Sequence, residues 1–319
     1  MTQKHHQKVV LVGDGMVGSA FSYALMQQGV AEELAIVDVA KDYATGDALD
    51  LEDAAPWTYP KQVTGGHNYQ VVADADIVVI TAGVGRKPGQ TRLELIDKNL
   101  MIVKQVVDNV MAEGFTGIFV VATNPVDIIT LAVQQFSGLP EHRVIGTGTA
   151  LDTARLQVAL AEQYGVAPAA IDVLVLGEHG DSAFANFDEA QIGGQSLNDF
   201  NKKYGNSAQD LVELMEATTK KGGAIIGRKG ATFYGVATAL ARIVRAILRD
   251  ESMVLPVSAW MSGQYGLSDM YIGSPAVING DGAKTVIMAA LSPAEQMQMQ
   301  RSAEILRAVT ADALANFMK

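Results

Sequence analysis

The sequence predicts an α/β protein: a doubly wound parallel sheet covered by helices, followed by a C-terminal α+β domain. Three observations carry that expectation. Over the first 147 residues, short runs rich in Val and Ile alternate with longer amphipathic stretches. A glycine-rich turn, Gly13-Asp14-Gly15-Met16-Val17-Gly18, separates the first such run from the first amphipathic stretch. Beyond Gly148 the alternation gives way to mixed segments and long helical patterns. Uncharged apolar strands suit a sheet buried on both faces, and a β-α-β-α order calls for right-handed crossovers between parallel strands.

Taken in order, residues 8–12, 34–37, 77–82, 117–122 and 144–146 read as strands, being β-branched and mostly free of charge. Between them, residues 17–28, 41–54, 92–113 and 126–135 read as helices. The second part opens with a helix at 152–164 and a strand at 173–176, then a polar stretch at 194–207. Helices are expected at 208–226, 231–249 and 293–318, with strand-like segments near 253–261 and 271–278. The division predicted is 1–147 for a dinucleotide-binding domain and 148–319 for a substrate domain.

Composition narrows the setting. A chain of 319 residues, 49% apolar, buries a core easily. It has no cysteine, so thiolate chemistry and disulfides are excluded. No apolar run is long enough to span a bilayer, and the first eight residues lack the apolar core of a signal peptide. A cytoplasmic location is the expectation. A net charge of −11 argues against nucleic acid or anionic membranes as partners. No metal site is expected.

The glycine-rich turn is the G-x-G-x-x-G element of a dinucleotide-binding (Rossmann) domain, in the required context of a strand before it and a helix after it. Gly13 allows the tight turn, Gly15 lets backbone approach a pyrophosphate, and Gly18 lets helix and strand pack closely. Met16 and Val17 start the helix whose free N–H groups would receive the phosphates. Asp38 ends the next strand, twenty residues past Gly18. A carboxylate there binds ribose hydroxyls and repels a 2′-phosphate, so the cofactor expected is NAD. Tyr69 and the Gly83-Val84 turn are further cofactor contacts.

Of five histidines, only His179, in Gly177-Glu178-His179-Gly180-Asp181, emerges directly from an apolar run. It is the candidate for proton chemistry near neutral pH, the alternative being a turn residue without a role. Three more segments follow strand ends, where open α/β sheets bind ligands. Gly85–Arg92 is a basic Gly/Pro loop suited to a lid, with Arg86 inside it and Arg92 at its helical end. In Thr123-Asn124-Pro125-Val126-Asp127, the proline holds Asn124 out of the helical region, so its amide is free to project toward a ligand. In Leu151-Asp152-Thr153-Ala154-Arg155, Asp152 and Arg155 share a helix face, either as part of a site or as a surface ion pair.

Together with Lys229-Gly230-Ala231-Thr232-Phe233-Tyr234, these motifs resemble the L-lactate/malate dehydrogenase family from about residue 8 to the C-terminus, closest to its bacterial L-lactate branch. The resemblance implies an NAD-dependent L-2-hydroxyacid dehydrogenase of fermentative glycolysis that reduces pyruvate reversibly. His179 would be the general acid/base, Asp152 its orienting carboxylate, and Arg155 the clamp on the substrate carboxylate. Arg92 would polarise the carbonyl, Asn124 would orient cofactor and substrate, and Thr232 would line the substrate pocket. Ala122, Thr123 and Thr147 complete the expected cofactor contacts, and a homotetramer is implied.

Two features depart from the lactate pattern. Arg86 stands where lactate enzymes commonly carry Gln, and Arg there resembles malate enzymes, in which it binds a second carboxylate. Malate or a bulkier 2-hydroxy acid is therefore the alternative substrate. Gln157 and Asp172 occupy the positions at which many bacterial relatives use Arg and His to bind fructose 1,6-bisphosphate. An amide and a carboxylate make a poor phosphate site, so activation by that sugar is not expected.

Overall fold

The computed structural model describes residues 7–58, 62–85, 92–204 and 208–317. His5, His6 and the lid residues Arg86 to Thr91 lie outside the described residues, and so does the side chain of Arg92.

The first half is built as β1 (Lys8–Val12), α1 (Met16–Gln28), β2 (Glu33–Val37), α2 (Lys41–Asp53), β3 (Gln62–Gly66), β4 (Ile77–Ile80), α3 (Arg92–Ala112), β5 (Ile118–Val121), α4 (Val126–Ser137) and β6 (Val144–Gly146). These six strands are parallel and lie in the order β3-β2-β1-β4-β5-β6. Winding starts at β1 and proceeds outward in both directions, so the chain changes direction between β1 and β4, where a crevice opens beyond the strand ends. Strands β1, β4 and β5 are buried along their whole length, as their unbroken Val/Ile runs require.

The second half runs α5 (Ala150–Tyr164), β7 (Ile171–Asp172), β8 (Val175–Leu176), β9 (Phe184–Ala185), β10 (Gln191–Ile192), β11 (Gln195–Ser196), α6 (Leu197–Tyr204), α7 (Ala208–Lys229), α8 (Tyr234–Leu248), β12 (Met253–Ser262), β13 (Ser268–Asn279), β14 (Gly282–Val286) and α9 (Pro293–Phe317). The antiparallel strands β12, β13 and β14 extend the parallel sheet, joining β6 through Ser258 opposite Gly146. Only glycine fits there, because a Cβ on Gly146 would lie 2.7 Å from the Ser258 Cβ. The sheet is thus continuous from the first half into the second.

Several elements differ from the sequence expectation. Only the second half of 173–176 is a strand: β8 (Val175–Leu176) pairs with β9, while β7, just before the segment, pairs with β10. The polar stretch at 194–207 holds β11 and the helix α6. The edge strand β3 carries one fully buried apolar residue, Val63, and so lacks an apolar run. One apolar cluster runs from Val9 to Ala313 through both halves, and a second around Leu156, Leu160, Val175 and Ile192 supports α5. Each fully buried side chain of this kind contributes about 1.5–3 kcal/mol relative to exposure. These clusters hold the C-terminal ends of β1, β4, β5 and β6 and the start of α5 in fixed relation. Among the described residues, no helix is long and apolar enough to cross a membrane.

Candidate active site

A cleft of about 410 Å³ opens at the β1/β4 crevice and brings together Gly13, Gly15, Asp38, Tyr69, Gly83 and Val84. Gly13 has φ +104° and lies so close to the neighbouring turn that a Cβ would sit 2.3 Å from the Ala82 nitrogen. A Cβ on Gly18 would meet the Gly13 carbonyl oxygen at 2.1 Å, which is the close helix–strand packing. Gly15 differs: its missing side chain faces open space, with nothing within 4 Å. Beyond it, α1 starts at Met16 with no side-chain cap and no acidic residue in its first turn, so its free N–H groups favour an anion.

Asp38 is held by backbone. Its Oδ2 accepts from the Asp14 N–H at 2.7 Å and its Oδ1 from the Ala40 N–H at 2.8 Å. Asp14 brings a second carboxyl next to the same turn; burial, then Asp47 and Asp38, push it up to about 7. An anion cradle at Gly15 and a clamped carboxylate at Asp38, lining one cleft, fit a dinucleotide.

On the other side of Asn124, four polar side chains form a connected chain. His179 Nδ1 lies 2.6 Å from Asp152 Oδ2, and Arg155 Nη1 donates to Asp152 Oδ1 at 3.2 Å. The backbone N–H of His179 donates to Asp127 Oδ2 at 2.9 Å. The loop carrying His179 is pinned on two further sides. Gly177 exchanges both backbone hydrogen bonds with Gly273 of β13, at 3.0 and 2.9 Å, and the Glu178 N–H donates to Ser302 Oγ of α9 at 2.7 Å. Such anchoring fixes the imidazole while leaving about a quarter of its surface exposed.

The charges reinforce each other. Burial lowers the His179 pKa, but the bond to Asp152 and the charges of Asp152 and Asp127 outweigh burial, and the net direction is upward from its usual value. For Asp152, burial pushes up, while His179 and then Arg155 hold it below the usual carboxylate range. The arrangement thus favours an imidazolium beside a carboxylate, a proton held ready near neutral pH. Arg155 Nη1 is engaged by Asp152, and among the described residues its other donors have no hydrogen-bonded partner, which suits an anion.

Arg155 and Thr232 line a common cavity of about 230 Å³ with Leu151, Ile225, Phe233 and Val236. Asn124 is exposed at the mouth of α4, its peptide to Pro125 is cis, and its carbonyl oxygen accepts from Asn99 Nδ2 at 2.8 Å. Thr123 is buried and donates to the Ala82 carbonyl at 2.8 Å, joining the ends of β4 and β5. Ala122 and Thr147 directly follow β5 and β6, and their N–H groups donate to the carbonyls of Ile80 at 2.9 Å and Val121 at 2.8 Å. Met16 is largely exposed and Val17 half-buried at the start of α1. Arg92 begins α3, while Arg86 is outside the described residues.

Sequence reasoning missed several contributors. Asn99 is buried on α3 and bonds both the N–H and the C=O of Val84, tying the cofactor turn to Asn124. Its signal was a polar residue among Ile96, Leu100 and Val103 on an apolar helix face. Ile102, Gln105, Val106 and Asn109 line the cofactor cleft at helical spacing from the same helix. Asp127 closes the Thr123–Asp127 motif, whose sequence alone gives it no role. Among the described residues, no group of His, Asp and Glu is placed to hold a metal ion.

Comparison with known proteins returns a consistent picture. Residues 7–146 match the lactate/malate dehydrogenase NAD-binding domain, and residues 149–317 match the alpha/beta C-terminal domain of that family. The chain is 54% identical over 311 residues to the L-lactate dehydrogenase of Pediococcus pentosaceus, covering 98% of this chain and 97% of that one. It is 54% identical over 312 residues to the L-lactate dehydrogenase of Limosilactobacillus fermentum, covering 98% of each. The crystal structure of the minor L-lactate dehydrogenase from Enterococcus mundtii, in its ligand-bound form, superimposes with a TM-score of 0.93 at 42% identity, over 97% of this chain and 99% of that one.

Proposed function

We infer the reaction from a fixed premise: this chain belongs to the lactate/malate dehydrogenase family. It is an NAD-dependent oxidoreductase that interconverts pyruvate and L-lactate, a fermentative step of glycolysis. The observation that carries this reading is the His179–Asp152–Arg155 chain, with its 2.6 and 3.2 Å contacts, in a chain that also forms the cleft of Gly13, Gly15 and Asp38. Residues 1–147 carry the cofactor and 148–319 the substrate machinery.

The cleft lined by Gly13, Gly15 and Asp38 would hold NADH, whose chemistry there would be hydride donation to the carbonyl carbon. His179 supplies the matching proton: with Nδ1 committed to Asp152, the proton exchanged with substrate oxygen is the one on Nε2. Asp152 keeps that tautomer and stabilises the charged ring. Arg155 binds the substrate carboxylate through the donors Asp152 leaves free, fixing orientation. Arg92 polarises the carbonyl as negative charge develops on its oxygen, Asn124 orients cofactor and substrate, and Thr232 borders the substrate side chain. A dinucleotide in the cleft would be held by Gly13, Gly15, Asp38, Tyr69, Gly83 and Val84, which line it. Met16, Val17 and Gly18 at the start of α1 would offer the pyrophosphate a helix N-terminus, with Ala122, Thr123 and Thr147 as further contacts. Asp38 selects NAD over NADP.

Arg86 keeps oxaloacetate or bulkier 2-keto acids as the second reading. Gln157 donates to the Ile171 carbonyl at 3.0 Å and Asp172 is exposed, a pairing that supports no activation by fructose 1,6-bisphosphate. A cytoplasmic homotetramer is the expected form; the exposed apolar side chains Tyr43, Leu49 and Trp57, on and just after α2, are surface that burial between copies would cover.

Following NADH oxidation with pyruvate, oxaloacetate and 2-ketoisocaproate tests the assignment. Pyruvate should give the highest kcat/KM, unchanged by millimolar fructose 1,6-bisphosphate. Oxaloacetate winning by a wide margin would overturn it, and Arg86→Gln would then show whether that residue sets the ratio.

A further inference from the structure

We propose that Asp127 is a positioning residue for proton transfer: it holds His179 from behind through the backbone, and its carboxylate charge sustains the imidazolium that Asp152 holds at the ring. The proposal rests on the reading of His179 as the proton donor.

Asp127 is the second residue of α4, three positions after Asn124, and only 2% exposed. Acids favour the first turn of a helix for its dipole alone, and a merely structural Asp127 would do no more than that. Its hydrogen bonds reach further. Oδ2 accepts the His179 N–H at 2.9 Å, from 52 residues away, and Oδ1 accepts Ser258 Oγ of β12 at 2.5 Å, from 131 residues away. One carboxylate therefore joins the helix that follows Asn124, the loop that carries His179 and the strand that extends the sheet. Of the three anchors on that loop, Gly273 and Ser302 are neutral; Asp127 is the one that brings charge and links to the cofactor half.

Among the described residues, Asp152 and Arg155 act on His179 from α5 and Asp127 from α4; on its own loop Glu178 is engaged by Ser182 and Asp181 is exposed. Asp152 and Asp127 favour the charged ring, and Arg155 opposes it. Around Asp127 itself lie Ser258, the His179 N–H and Glu178. Burial pushes Asp127 up to about 6, with Ser258 and His179 pulling the other way, so it is ionised where His179 works, above its own midpoint. Removing the charge must lower the imidazolium's pKa, because a nearby anion is lost.

The test is the pH profile of kcat/KM for pyruvate in Asp127→Asn, which keeps one acceptor oxygen in place. Pyruvate reduction needs the protonated ring and falls as pH rises through the His179 midpoint. The expected result is a midpoint about one unit lower, and so about tenfold lower activity on the alkaline limb, with near-parent activity on the acid side and an unchanged KM for NADH. A structural role alone would lower activity evenly at every pH. Ser258→Ala keeps the carboxylate but removes its hydroxyl donor, raising the Asp127 pKa, and should move the limb in the same direction by less. An alkaline limb at the parent position in Asp127→Asn would overturn the proposal; if that variant does not fold, an unmoved limb in Ser258→Ala overturns it. His179→Asn separates the two readings. An inactive His179→Asn alongside a parent-like Asp127→Asn refutes only the role of Asp127, whereas an active His179→Asn refutes the proton-donor reading itself.

Discussion

The cofactor cleft and the proton-transfer centre are neighbours made of different material. The cleft is shaped by backbone: a glycine at φ +104°, another whose Cβ direction is empty, and an aspartate clamped by two main-chain N–H groups. Its glycine turn and clamped aspartate come from the stretch between Gly13 and Asp38. The centre is a network of side-chain charges, with Asp127, Asp152, Arg155, His179 and the neutral Ser258 drawn from α4, α5, a loop and β12. A backbone shape fails by steric exclusion, one position at a time. A charge network fails collectively, since deleting one partner leaves another buried and unpaired.

That contrast breaks if substitutions on the two sides behave alike. The largest effect belongs to Arg155→Leu, which strands the substrate carboxylate in a closed site: kcat/KM for pyruvate should fall about 10³-fold, the scale of an uncompensated buried charge, with KM for NADH unchanged in steady-state kinetics. Next is Asp152→Asn, in which the ring loses its orienting charge; kcat should drop about 10²-fold or more, the scale of general acid catalysis. The cofactor side gives the smallest change in turnover but a clear split between two glycines. Gly15→Ala should fold with an unchanged Tm and a raised KM for NADH, since its Cβ meets nothing within 4 Å. Gly13→Ala forces a Cβ to 2.3 Å from backbone at a positive φ and should lose about 1–3 kcal/mol of stability, read as a lower Tm. Equal Tm values for the two would erase the distinction.

The same contrast decides what could be read from the sequence. The strands β1, β4 and β5 and the glycine turn are local patterns, so period and spacing disclose them. Strand β3 was hidden because Gln62-Val63-Thr64-Gly65-Gly66 sits at a sheet edge and needs little apolar surface. For Asp152 and Arg155 the spacing discloses a shared helix face, but that pattern suits a surface ion pair equally, and their roles come only with the family resemblance. Asp127 and Ser258 were not assigned, because their partnership exists only after α4 and β12 are brought together, and nothing in the spacing of 131 residues announces it. Asn99 lay between these cases: a buried amide on an apolar helix face is a local signal, but its partners, Val84 and Asn124, follow the ends of two different strands.

The central claim is that His179 moves a proton under the control of its flanking carboxylates. The most direct measurement is the pH dependence of kcat/KM in both directions. Pyruvate reduction uses the imidazolium and should fall with rising pH, while lactate oxidation uses the neutral ring and should rise. Both should share one midpoint above the ordinary histidine value of about 6.5, since His179 is shifted upward. In Asp152→Asn both midpoints should move down together. Profiles that run parallel in the two directions, or midpoints that ignore the loss of Asp152, would contradict the account.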